Sequence, residues 1–87
     1  MIKYIIFYKE IQIGILEINE KNQYKYTPDD KGIETIKNEV PLIHEMTEVS
    51  DWREPIPFFK NRIDNAKRFN REKDITTHTD WFRMCMQ

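Results

Sequence analysis

The sequence predicts a small α+β domain, an antiparallel sheet packed with two helices. Three observations carry this. Residues 1–28 hold three short runs rich in β-branched and aromatic side chains, each broken by polar residues. From Ile56 onward, apolar residues recur at three- and four-residue steps. Eleven aromatics in 87 residues supply bulky material for one packed interior.

The first run, Ile2-Lys3-Tyr4-Ile5-Ile6-Phe7-Tyr8, is too short for a helix before Lys9-Glu10 interrupts it, and reads as a strand. In the second, Ile11, Ile13 and Ile15 fall on one face and Gly14, Leu16 and Ile18 on the other. The short connection between the two makes a hairpin, and Gly14 inside a strand marks a bend. After an Asn19-Glu20-Lys21-Asn22 turn, Gln23-Tyr24-Lys25-Tyr26-Thr27 alternates aromatic and polar residues until Pro28, completing a three-stranded meander.

Ile33, Ile36 and Val40 sit at helical spacing, so residues 32–39 are expected to form a short helix or one irregular turn. Residues 42–46 read as another short strand and residues 47–54 as a polar loop around Trp52, so the sheet is expected to have about three to five strands. Ile56, Phe59, Ile63 and Ala66 define the best helix of the chain, with Pro57 acceptable in its first turn. Thr77 and Asp80 have capping-box spacing, which predicts a last helix with Trp81, Phe82, Met84 and Cys85 on an apolar face and Trp81 in the core.

This length supports one modest core and so one domain over residues 1–87. A lone Cys85 excludes an internal disulfide, and neither a signal segment nor a long apolar run is present. A soluble cytoplasmic protein is expected. Its charge is polarised: residues 1–57 carry seven basic and eleven acidic side chains, whereas residues 58–73 carry six basic and two acidic ones. Lys60, Lys67, Arg68, Arg71 and Lys73 thus form a candidate surface for phosphate groups or for an acidic protein partner, against the plainer reading of a solvated helix face. With Phe69 the only aromatic interleaved, direct nucleic-acid binding is disfavoured. Trp52, in its polar loop, is the other candidate contact.

Sites for chemistry are sparse. His44-Glu45-Met46-Thr47-Glu48 lacks the second histidine that a zinc-binding helix needs one turn later. Gly14 and Gly32 are too far apart for a phosphate loop, and Cys85 on an apolar face reads as a buried, inert thiol. No enzymatic activity and no cofactor are expected.

Read in order, Tyr8 with Gly14 and Leu16, Tyr24 and Tyr26 before Pro28, Pro41-Leu42, then Pro57-Phe58-Phe59 followed by Asn61-Arg62-Ile63 and Arg68 resemble the N-terminal subdomain of HipA-type toxin kinases. Asp80-Trp81-Phe82 is similar to that family's short closing helix. Ile43 stands where the family commonly has a serine, and Asp64-Asn65 where a Leu-Pro-Glu-Gly-like step follows. Within these 87 residues no stretch resembles the catalytic core of those kinases. The resemblance therefore implies a stand-alone subdomain that binds a HipA-like serine/threonine kinase core as its antitoxin, with a helix-turn-helix DNA-binding protein as third partner. Trp52, Lys60, Arg62, Lys67, Arg68 and Arg71 would be its contacts. The alternative is a small inhibitor or adaptor of mobile-element origin, setting Asp29, Asp30, Glu45 and Glu48 against the basic groove of a nucleic-acid-handling enzyme.

Overall fold

A computed structural model describes residues 1–41, 44–76 and 81–87. Strands β1 (Ile2–Tyr8), β2 (Ile11–Ile18) and β3 (Tyr24–Pro28) form the expected meander, followed by helix α1 (Asp30–Glu39) and one 3-10 turn (His44–Thr47). Strand β4 (Ser50–Arg53), helix α2 (Pro57–Lys67), and strands β5 (Asp74–Thr76) and β6 (Phe82–Met86) complete the chain. The sheet has six strands in the order β4-β3-β2-β1-β6-β5, every neighbouring pair antiparallel. The α+β class is as predicted, and the strand count exceeds the expected three to five.

Local chemistry explains most of the geometry. Lys9 and Glu10 form a two-residue hairpin turn with φ of 49° and 70°, the left-handed pair that matches strand twist. Lys9 offsets the cost by its contacts: its N–H donates to the Trp81 carbonyl at 3.1 Å and its Nζ meets a Glu39 oxygen at 3.2 Å. The β2–β3 turn is held by Asn19, whose Oδ1 accepts the Lys21 and Gln23 amides.

The expected bend at Gly14 is a β-bulge. Ile6 pairs with Gly14 and Phe7 with Gln12, leaving Ile13 unopposed. Both glycines of the chain serve this one irregularity. A Cβ on Gly14 would stand 2.7 Å from Cζ of Tyr26, and one on Gly32 would stand 2.6 Å from the carbonyl carbon of Ile13. Gly14 thus makes room for a tyrosine ring, and Gly32 lets α1 lie directly on the bulged backbone. The Ile13 carbonyl also accepts the Asp29 N–H at 2.8 Å, tying the helix entry to the same point.

Helix α2 starts at Pro57, whose missing N–H costs nothing in the first turn, and turns Phe59, Ile63 and Ala66 inward, as the spacing predicted. It ends in a Schellman motif. Asn70 is left-handed at φ 55°, the Arg71 N–H donates to the Ala66 carbonyl at 3.0 Å, and the Asn70 N–H to the Lys67 carbonyl at 3.3 Å.

The core occupies one side of the sheet. It gathers Tyr4, Ile6 and Tyr8 of β1, Ile13, Leu16 and Ile18 of β2, Tyr24 and Tyr26 of β3, and Phe82 and Met84 of β6 under Ile36 of α1 and the inward face of α2. Rings run through it without a break: Tyr26–Phe59, Phe59–Phe58, Phe58–Phe82 and Phe82–Tyr8 have centroids 4.9–5.4 Å apart.

Four local expectations are corrected. Residues 44–47 form a 3-10 turn with Met46 fully buried rather than a strand, and Leu42 and Ile43 lie outside the described residues. The loop around Trp52 contains strand β4. The last helix is strand β6, with Phe82 and Met84 inward and Arg83 outward; residues 77–80 lie outside the described residues. Trp81, expected in the core, is 63% exposed at φ 67°.

Candidate functional site

The six predicted contact residues do not converge. Lys60, Arg62, Lys67, Arg68 and Arg71 belong to α2 and the turn after it, on the side of the sheet that carries the core. Trp52 lies on the other side. Lys25, between the buried Tyr24 and Tyr26, points outward, and its Nζ sits 5.8 Å from the Trp52 ring centroid.

The basic set on α2 divides further. Lys60 is engaged by Asp64 one turn on, and that hydrogen bond holds the Asp64 carboxyl below the usual carboxylate range, against the opposing effect of desolvation. Arg62 stacks its guanidinium 3.7 Å from the Phe58 ring centroid and donates from Nη1 to the Phe58 carbonyl at 3.0 Å. Both are structural parts of the helix. Lys67, Arg68 and Arg71 are exposed.

Among the described residues, two open clefts flank α2. The one toward β1 and β3, about 480 Å³, has Ile18 and Ile63 among its walls and Lys60, Asp64 and Lys67 along the helix. Tyr4 and Tyr24 also line it, and burial pushes both phenols up to about 12; the Tyr4 hydroxyl donates to the Glu72 carbonyl at 2.7 Å. The second, about 560 Å³, runs between α2 and β5 and includes Arg62 and Arg71.

The surface that sequence reasoning missed is the outer face of the sheet. Following the register, Asp74, Cys85, Ile5, Ile15 and Thr27 form one row across five strands, and Thr76, Arg83, Phe7 and Gln12 form the next. On the third, Lys3, Glu17 and Lys25 alternate in sign. Ile5, Phe7, Ile15 and Cys85 are half-buried by one another, yet lie outside the core cluster. An antiparallel sheet with one solvated face commonly alternates apolar with polar residues, whereas here the outer face keeps an apolar centre as well. The signal was present in the sequence: β1 reads Tyr4-Ile5-Ile6-Phe7-Tyr8, apolar on both faces.

Cys85 is half-buried on this face rather than in the core, with Sγ 4.0 Å from an Asp74 oxygen. Asp74 is itself held by Arg83 through two hydrogen bonds of 3.0 and 2.9 Å, which lower its pKa. Among the described residues no group of three or more His, Cys, Asp or Glu side chains could hold a metal, and no described helix is long and apolar enough to cross a membrane. Comparison with known proteins brings no match to a family model, a curated protein or a solved structure.

Proposed function

We propose that this chain is a non-enzymatic, cytoplasmic protein-binding module that docks on a larger partner through the outer face of its sheet. The observation that carries the reading is the apolar centre formed by Ile5, Phe7, Ile15 and Cys85, rimmed by Lys3, Glu17, Lys25 and Arg83. An apolar middle with a charged rim is the anatomy of a protein interface. Trp52 extends that face toward the β4 edge, whereas Lys67, Arg68 and Arg71 form a separate basic surface that steers an acidic partner.

The order of motifs from Tyr8 to Arg68 supports a HipA-like serine/threonine kinase core as the partner, restrained by the docked domain, with a helix-turn-helix protein as a further component. Co-expression with the kinase encoded beside it tests this. A stable complex and relief of toxicity are expected, both lost in an Ile5→Lys, Ile15→Glu double variant that remains folded. Absence of a complex with the unaltered chain refutes the kinase; a complex unaffected by the double variant refutes the sheet face.

A further inference from the structure

We propose that the groove between α2 and the free edge of β5 accepts an extended, acidic peptide segment of a partner, which joins the sheet as a seventh strand. This is a second surface, independent of the outer sheet face. Strand β5 ends the sheet, and among the described residues nothing pairs with its outer edge.

The ladder shows which backbone groups that edge offers. The Met86 N–H donates to the Lys73 carbonyl at 2.7 Å, so Lys73 and Met86 are a hydrogen-bonded pair. Such pairs alternate along an antiparallel ladder, so the next is Ile75 with Met84. Asp74 and Thr76 then direct their carbonyls away from β6, and Thr76 its N–H as well. The Asp74 N–H turns back to the Arg71 carbonyl at 3.4 Å. Two acceptors and one donor therefore face the groove.

Its walls suit an extended segment. Ile75 forms an apolar floor, Asn61 and Asn65 line the helix side with amides that can both donate and accept, and Phe69 stands at the end. Phe69 is 65% exposed because the Schellman turn, fixed by Asn70 and Arg71, carries it out of the core. A groove between an edge strand and a helix is a general seat for a peptide in β conformation, with backbone bonds giving affinity and side-chain pockets giving selectivity.

Charge selects the occupant. Arg71 lines the groove, and Lys67 and Arg68 lie at the same helix end. These three set its positive charge, since Arg62 is engaged with Phe58. Among the described residues Asp74 is the one lining carboxylate, and Arg83 engages it with two hydrogen bonds. An acidic segment is favoured and a basic one repelled.

The test uses the whole chain, labelled with nitrogen-15, and a blocked hexapeptide alternating valine and glutamate, titrated to about 1 mM, the weak end of specific association. Amide shifts are expected at Asp74, Ile75 and Thr76 and in the side-chain amides of Asn61 and Asn65. Arg71→Glu should weaken binding about tenfold or more, as should a peptide with lysine in place of glutamate. Thr76→Pro removes an N–H that faces only the groove, a change edge strands tolerate, and should abolish binding. Methylating alternate peptide amides repeats that test without altering the protein. No shifts at β5, equal binding of the lysine peptide, or unchanged affinity for both Thr76→Pro and the methylated peptide would each overturn the proposal.

Discussion

Gly32→Ala sets two physical effects against each other. Gly32 lies inside α1, where replacing glycine by alanine normally stabilises by about 1 kcal/mol through helix propensity. Its φ is not in the left-handed region, so no backbone strain opposes the change. Packing does. The new Cβ would lie 2.5 Å from Cα and 2.6 Å from the carbonyl carbon of Ile13, where carbon atoms rest at about 3.5–4.0 Å. The obstacle is backbone, fixed on the bulge by the Asp29 hydrogen bond, so α1 must retreat by about 1 Å and draw Ile36 from the core. Overpacking of this kind costs about 1–3 kcal/mol, and a backbone obstacle puts Gly32 at the upper end. The net expectation is destabilisation by about 2 kcal/mol, or a fall in Tm of about 10 °C for a domain of this size. Urea unfolding at unchanged m-value measures it, with Asn38→Ala on the exposed side of the same helix as the propensity control, expected to gain up to about 0.7 kcal/mol. A Gly32→Ala protein as stable as the original, or more so, refutes the close approach of α1 to the bulge.

Arg62→Ala should destabilise by about 1–2 kcal/mol in urea unfolding, since it removes the stack on Phe58 and a hydrogen bond, whereas Lys67→Ala and Arg68→Ala should stay within about 0.5 kcal/mol. Equal small effects at all three would return Arg62 to the solvated set. Tyr4 and Tyr24 ionise near 12 when folded and near 10.0 when unfolded, so the stabilisation from burying them neutral is complete below pH 10 and lost as pH rises to about 12. Tyrosinate absorbance should therefore rise together with loss of the fold; ionisation of these phenols near pH 10 in a folded protein would contradict their burial.

The meander and α2 were legible because their side chains follow a period over enough residues to define it. Tyr4, Ile6 and Tyr8 alternate on one face, and Phe59, Ile63 and Ala66 repeat on another. Strand β6 was not, because Phe82-Arg83-Met84-Cys85-Met86 is too short to separate a two-residue from a 3.6-residue period, and the preceding Thr77 and Asp80 imitated a cap. Strand β4 carries Ser50-Asp51-Trp52-Arg53, an edge composition that resembles a loop because an edge is solvated on three sides. The role of Arg62 was within reach: it follows Phe58 by four residues on a helix, a spacing at which side chains meet. That Trp52 and the basic helix lie on opposite sides of the sheet depends on strand order, which no local pattern encodes.

The central position of β1 also governs how the chain assembles. One flank of β1 is completed by β2 after a two-residue turn, a local event, whereas its other flank waits for β6, from the far end of the chain. Until β6 arrives, Phe82 cannot join the ring series, β5 has no strand to pair with, and the β1 edge stays open beside exposed apolar residues. The meander and α1 can therefore form early, while closure of β1 by β6 is the slow, entropy-limited step and the stage at which the chain is most prone to pair with another copy of itself.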